Sequence, residues 1–165
     1  SMTNLIPHTS LIKILSELKI KVKILVACSL SSVIGLPFQQ YYSASKSATQ
    51  FFYESISYEL KRSFCTVYLI RLGSVNTGFN SKGNLSPMQN SYIYDDYLRS
   101  LNKINGKKQL DPKKVAKYFV KLTKKKSGYG TYLIDYGLNS FLLSFFRRIF
   151  GFRITSHLAS KYLVR

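Results

Sequence analysis

Residues 41–62 contain neither glycine nor proline and stand between two apolar runs of strand character, Ile24-Leu25-Val26-Ala27-Cys28 and Thr66-Val67-Tyr68-Leu69-Ile70-Arg71. A stretch of this length without either backbone punctuator reads as one long helix. Strand, helix and strand in that order describe an α/β unit. The largely apolar character of the first run suits a buried parallel strand. On such a helix, the four-residue offset between Tyr42 and Lys46 stacks a phenol and an ammonium on one face. The pair can exchange a proton, because a free phenol titrates near pH ~10 and a cation close by favours the phenolate. Taken alone, the spacing is common on helices by chance.

Its surroundings make it specific. Ser29 closes the first strand thirteen residues before Tyr42, and Gly35-Leu36-Pro37-Phe38-Gln39-Gln40-Tyr41 leads into the helix. The second strand continues into Leu72-Gly73-Ser74-Val75-Asn76-Thr77-Gly78-Phe79. This order resembles the second half of a short-chain dehydrogenase/reductase, from about residue 4 to 135 and most densely from Leu25 to Phe79. The resemblance implies a Rossmann-like α/β fold, here a partial parallel sheet flanked by helices. It also implies hydride exchange between NAD or NADP and a small-molecule alcohol or carbonyl substrate.

Under that resemblance Tyr42 is the general acid/base, Lys46 lowers its pKa and binds the nicotinamide ribose, and Ser29 orients the carbonyl oxygen. Ser32, three residues before Gly35, is the competing serine. Asn4 corresponds to an asparagine that supports the lysine through a water, and fits a helix cap equally well. Gly73, Val75 and Thr77 belong to the loop that would close over the nicotinamide half of the cofactor, with Val75 backbone groups and the Thr77 hydroxyl reaching its amide and phosphates. Two positions depart from the family pattern: Ser32 stands where glycine is usual, and Leu72 where proline is. Family members usually need roughly one and a half times this length. No strand followed by a glycine-rich turn and helix precedes Ser29. The half that would cradle the pyrophosphate is therefore expected to be missing, and cofactor binding by this chain to be weak or absent.

The expected organisation is a single partial domain over residues 2–165, with a catalytic core at 2–77, a substrate lid at 78–106, and C-terminal helices and a last strand at 107–165. Helical spacing begins near Asn4 and runs through Leu18, with Pro7 in its first turn. Asp111-Pro112 opens a helix reaching about Lys125, with Val115, Ala116, Phe119, Val120 and Leu122 as its apolar side. Thr131 to Ile134 is a short last strand. Phe51, Phe52, Ile56 and Leu60 on the central helix read as core or subunit contact, and the resemblance implies a homodimer through the 41–62 helix.

The charge is lopsided: 25 lysines and arginines face 7 acids, a net +18. Ten lysines fall between residues 103 and 126 beside one acid, Asp111. The run reads as a solvated helix face in preference to a nucleic-acid patch, because its apolar residues keep helical spacing. Cys28 and Cys65 sit in apolar runs and suit reduced, buried thiols of a cytoplasmic protein. His8 and His157 stand alone, so no metal site is expected. The tail at 138–165 joins many phenylalanines to Arg147, Arg148 and Arg153. Its uncharged run is too short to span a bilayer, which leaves a peripheral membrane-surface contact, a cover over the substrate cleft or a dimer contact. The competing functions are a non-catalytic partner subunit and a split enzyme whose other half is a separate chain.

Overall fold

The computed structural model describes residues 6–18, 21–36, 38–59, 65–77, 94–105, 109–126, 130–136 and 138–163. In chain order these form α1 (Ile6–Leu18), β1 (Val22–Ser29), a 3₁₀ turn (Leu30–Ser32), α2 (Gln40–Glu59), β2 (Cys65–Leu72), α3 (Tyr94–Asn105), α4 (Pro112–Lys124), β3 (Gly130–Tyr136) and α5 (Leu138–Leu163). The strands make one parallel sheet in the order β1-β2-β3. An open α/β sheet with helices on both faces results, as the order of apolar runs leads one to expect. Asn4, Leu60 to Arg62 and the lid residues 78–93 lie outside the described residues.

The sheet alternates, and each face has its own cover. Ile24, Val26 and Cys28 of β1 and Cys65, Val67 and Leu69 of β2 pack with Tyr53 and Phe52 of α2 and with Ile12 and Leu15 of α1. The other face carries Tyr68 and Ile70 beneath Leu122, Tyr118 and Phe119 of α4. The central strand is the most deeply enclosed, with Tyr68, Leu69 and Ile70 at 0% exposure. Leu69 and Ile70 each contribute about 1.5–3 kcal/mol relative to exposure.

Two helix faces differ from the expectation. On α4, Tyr118, Phe119 and Leu122 face the sheet and Val115 is buried, whereas Ala116 and Val120 are exposed. Tyr118 falls at the i, i+3, i+7 phase set by Val115 and Leu122, and Val120 lies off it. On α2, Phe51 is 62% exposed. The buried face is instead Ser43, Ser45, Thr49, Gln50, Tyr53 and Ser57. These small polar groups are satisfied locally: Ser45 Oγ donates to Tyr42 O, Thr49 Oγ1 to Ser45 O and Ser57 Oγ to Glu54 O. Such back-bonding lets a hydroxyl-rich face sit against a sheet without orphaned donors.

Asp111 caps α4 by accepting from Lys113 N at 2.8 Å, with proline in the first turn. α5 packs against β3, α3 and the 3₁₀ turn. It bends at Gly151, whose φ of 67° and ψ of −165° are open only to glycine.

Candidate active site at the C-terminal end of the sheet

Register decides what meets at this end. Ser29 pairs with Leu72 across β1 and β2, so the loop that starts at Gly73 leaves the sheet directly beside Ser29. Ligands of open α/β sheets bind at this carboxyl end.

The first two turns of α2 are fastened to the same place. Ser43 Oγ accepts from Leu36 N at 3.3 Å, and Ser47 Oγ donates to Ser32 O at 3.1 Å. Between them, Lys46 Nζ donates to Ala27 O at 3.2 Å and lies 5.9 Å from the centroid of the Tyr42 ring. The bonds to Ala27 and Ser32 bracket Ser29 on either side in sequence. The ammonium therefore stands between the Tyr42 ring and the end of β1. Tyr42 and Lys46 are both half-buried, which keeps them reachable from solvent.

Ser29 occupies the cap of the 3₁₀ turn. Its Oγ accepts from Ser31 N and donates to Ser31 Oγ, both at 3.2 Å. Ser32, the competing serine, is buried, and its Oγ lies 2.6 Å from both Ser29 O and Gln50 Oε1, sharing one proton between them. Gln50 Nε2 donates onward to Glu54. Ser32 thus braces the turn from below, while Ser29 keeps a hydroxyl whose donor partner is a long, weak one.

The loop after β2 is tied down on two sides. Gly73 N donates to Tyr136 O at 3.4 Å, Leu110 N to Ser74 O at 2.8 Å and Asn76 N to Leu110 O at 3.0 Å. This is the parallel-bridge pattern centred on Val75 and Leu110. It spends Ser74 and Asn76 and turns the amide of Val75 away from Leu110. Thr77 N donates to Val75 O, and the Thr77 side chain is exposed. Ser29, Lys46, Tyr42 and the Gly73 to Thr77 loop are thus drawn to one end of the sheet.

Sequence reasoning missed a half-buried ion pair in this region. Arg71 Nη2 donates to Asp135 Oδ2 at 2.9 Å, its Nε lies 2.7 Å from Oδ1, and Ser144 Oγ of α5 donates to the same carboxylate at 3.1 Å. Arg71 is the partner of both Cys28 and Asp135 in the strand register, two residues before Gly73. The only available signal was an arginine and an aspartate near the ends of two strands expected to be parallel. Cys28 itself is inert: burial pushes its thiol up to about 11, outweighing the nearby Lys46 and Arg71. Cys28 and Cys65 are both free and buried, and the described residues hold no cluster of metal ligands.

Comparison with known proteins bears on this arrangement. Residues 3–87 match the family profile of the short chain dehydrogenases. The chain is 33% identical over 109 residues to 3-ketodihydrosphingosine reductase of Bacteroides thetaiotaomicron, covering 64% of this chain and 40% of that protein. It is 32% identical over 106 residues to 17-beta-hydroxysteroid dehydrogenase type 1 of Mus musculus and 30% identical over 106 residues to estradiol 17-beta-dehydrogenase 1 of Rattus norvegicus. In each of the latter two, 59% of this chain and 30% of the relative are covered. The chain thus spans less than half the length of the curated relatives it matches.

Proposed function

This chain belongs to the short-chain dehydrogenase family, and from that footing we propose that it interconverts an alcohol and its carbonyl with NAD(H) or NADP(H) as the hydride carrier. The observation that carries the reading is the Lys46 ammonium, bonded to Ala27 O and set beside the Tyr42 ring at the end of β1. Reductases and dehydrogenases of a sphingoid ketone and of steroids are among the relatives, which favours a substrate whose reacting oxygen sits on a largely apolar skeleton.

The residues at this end suit the nicotinamide half of a dinucleotide. Lys46 would hold the ribose diol, the Val75 amide the carboxamide, and Thr77 a phosphate oxygen. When bound, the nicotinamide supplies or removes the hydride. In the reducing direction Tyr42 gives its phenolic proton to the substrate oxygen, and Ser29 Oγ, released from its weak bond to Ser31, donates to the same oxygen. Lys46 offsets the negative charge left on the Tyr42 oxygen. In oxidation the same proton returns to Tyr42.

A second reading, a partner subunit without activity of its own, draws on a different observation. Tyr41, Phe51 and Tyr58 of α2 and Leu11, Ile14 and Leu18 of α1 are exposed, on the two helices that cover one face of the sheet. Such a surface fits a partner chain, the homodimer through residues 41–62 included.

Calorimetric titration with NADH and NADPH, followed by an alcohol and ketone turnover assay of wild type and Tyr42→Phe, tests the first reading. Expected are weak binding of one cofactor at most and, for whatever turnover is measured at high cofactor concentration, a loss of about 10²–10⁴-fold in the variant. Turnover that Tyr42→Phe leaves unchanged, or no turnover even at high cofactor concentration, would turn the assignment toward the partner subunit.

A further inference from the structure

We propose that α5 is an interfacial helix by which this protein docks on an anionic lipid surface. The inference stands apart from the oxidoreductase reading, because it concerns a face that takes no part in the chemistry proposed above.

Ser144 fixes the rotational phase of the helix by bonding inward to Asp135. With about 3.6 residues per turn, Phe141, Phe145 and Ile149 form one outer row and Leu142, Phe146 and Phe150 the next, together an arc of about 180°. All six are between 38% and 55% exposed. This inverts the usual amphipathic helix, since a hydroxyl faces the sheet and the apolar arc faces solvent. The rings touch along the ridge: Phe141 and Phe145 at 6.2 Å between centroids, Phe145 and Phe146 at 6.1 Å, Phe146 and Phe150 at 5.6 Å. Beyond the bend at Gly151, Phe152 and Ile154 carry the exposed apolar surface onward, at 65% and 49%. Scattered exposed leucines are ordinary, but a contiguous ridge of this size marks a docking surface.

Charge identifies the occupant. From residue 138 to 165 the sequence has no acid and five cations, Arg147, Arg148, Arg153, Lys161 and Arg165, within a chain of net charge +18. Arg147 lies 4.9 Å over the Phe152 ring, Arg148 is exposed one residue before Ile149 of the ridge, and Arg153 is exposed next to Phe152 and Ile154 in sequence. Aromatic rings interleaved with arginines match an acyl boundary beneath a layer of phosphates. A second copy docked on this ridge would bring a second set of the same arginines against the first, and an anionic bilayer brings the opposite charge. None of the described helices is long and apolar enough to cross a membrane, so the helix lies along the surface.

The chain contains no tryptophan, which makes Phe145→Trp a reporter. Full-length protein is sedimented with vesicles of phosphatidylcholine alone and of phosphatidylcholine and phosphatidylglycerol in equal parts, and Phe145→Trp fluorescence is read in both. Expected are binding to the mixed vesicles about tenfold or more tighter than to the neutral ones, a blue shift of the indole on binding, and a drop of about tenfold or more on combining Phe145→Ser with Ile149→Ser. Replacing Arg148 and Arg153 by Glu abolishes the preference for phosphatidylglycerol. The proposal is overturned by lack of binding to either vesicle, by binding with no indole shift, or by binding that the double serine variant leaves unchanged, which would place the attachment on the lysines of α4. It is equally overturned by sedimentation velocity showing a dimer that the double serine variant dissociates.

Discussion

His8 Nδ1 stands 2.8 Å from the Tyr53 hydroxyl, with the rings edge to face at 5.2 Å. Burial, with smaller contributions from Cys65 and Cys28, pushes Tyr53 up to about 12, so the phenol keeps its proton and acts as the donor. Nδ1 must then accept, and only the neutral imidazole can do so. Burial first and the Lys46 charge second hold His8 below its ordinary 6.5, in the same sense. The unfolded chain takes up this proton near 6.5, whereas the folded chain waits for a lower pH, so between the two values the unfolded state binds more protons. The contribution is therefore present above about 6.5 and lost as pH falls through the folded value. Urea denaturation should show the midpoint dropping between neutrality and about pH 5, before the carboxylates titrate. His8→Gln keeps an acceptor for Tyr53 but cannot ionise, and it should flatten that slope. An unchanged slope would place the titrating group elsewhere.

The bend in α5 is held by one glycine and one threonine: Thr155 Oγ1 lies 2.6 Å from Gly151 O and 3.4 Å from Arg147 Nη1. No atom outside the immediate chain lies within 4 Å of where a Cβ on Gly151 would sit, so Gly151→Ala is limited by backbone conformation alone. The substitution should destabilise by about 1–3 kcal/mol, read from the shift in denaturation midpoint, or else straighten the helix, read as a gain in far-ultraviolet helical signal. The bend was not legible in the sequence, where Gly151 is a single glycine inside an apolar, arginine-bearing run with no proline or polar turn residue beside it. Other boundaries were: the run free of glycine and proline became α2, and Asp111-Pro112 became the cap and first turn of α4, because local propensity and tertiary structure agree there. The last strand is longer than Thr131 to Ile134 because pairing with β2 extends it to Gly130–Tyr136. The polar part of the inward face of α2 was not legible in the sequence, since hydroxyls that bond their own helix look polar on paper and are buried in fact. At the candidate site, the spacing of Tyr42, Lys46 and Ser29 was enough to expect them at one end of the sheet, where they lie. The bond from Lys46 to Ala27, and the meeting of Arg71 with Asp135 64 residues away, needed the sheet.

With 25 cations and 7 acids, at least 18 basic groups lack an acid of their own, and four of the acids are already engaged, Asp135 with Arg71, Asp96 with Arg99, Asp111 at the cap of α4 and Glu54 with Gln50. The surface repels copies of itself, and this repulsion opposes the attraction of the exposed apolar rows on α1 and α2. Salt separates the two, because the screening length falls from about 10 Å at 0.1 M to about 3 Å at 1 M while apolar contact is left intact or strengthened. Self-association should therefore rise with sodium chloride in sedimentation equilibrium. Replacing Phe51 and Tyr58 by Ser, both strongly exposed at 62% and 72%, should remove most of that rise if α2 is the contact. Attachment to anionic vesicles runs the other way, weakening as salt screens the arginines. The same chain in the same buffers is thus expected to show opposite salt dependences for its two apolar surfaces. Association that weakens with salt, or that survives the change at Phe51 and Tyr58, would deny α2 the role of contact between copies.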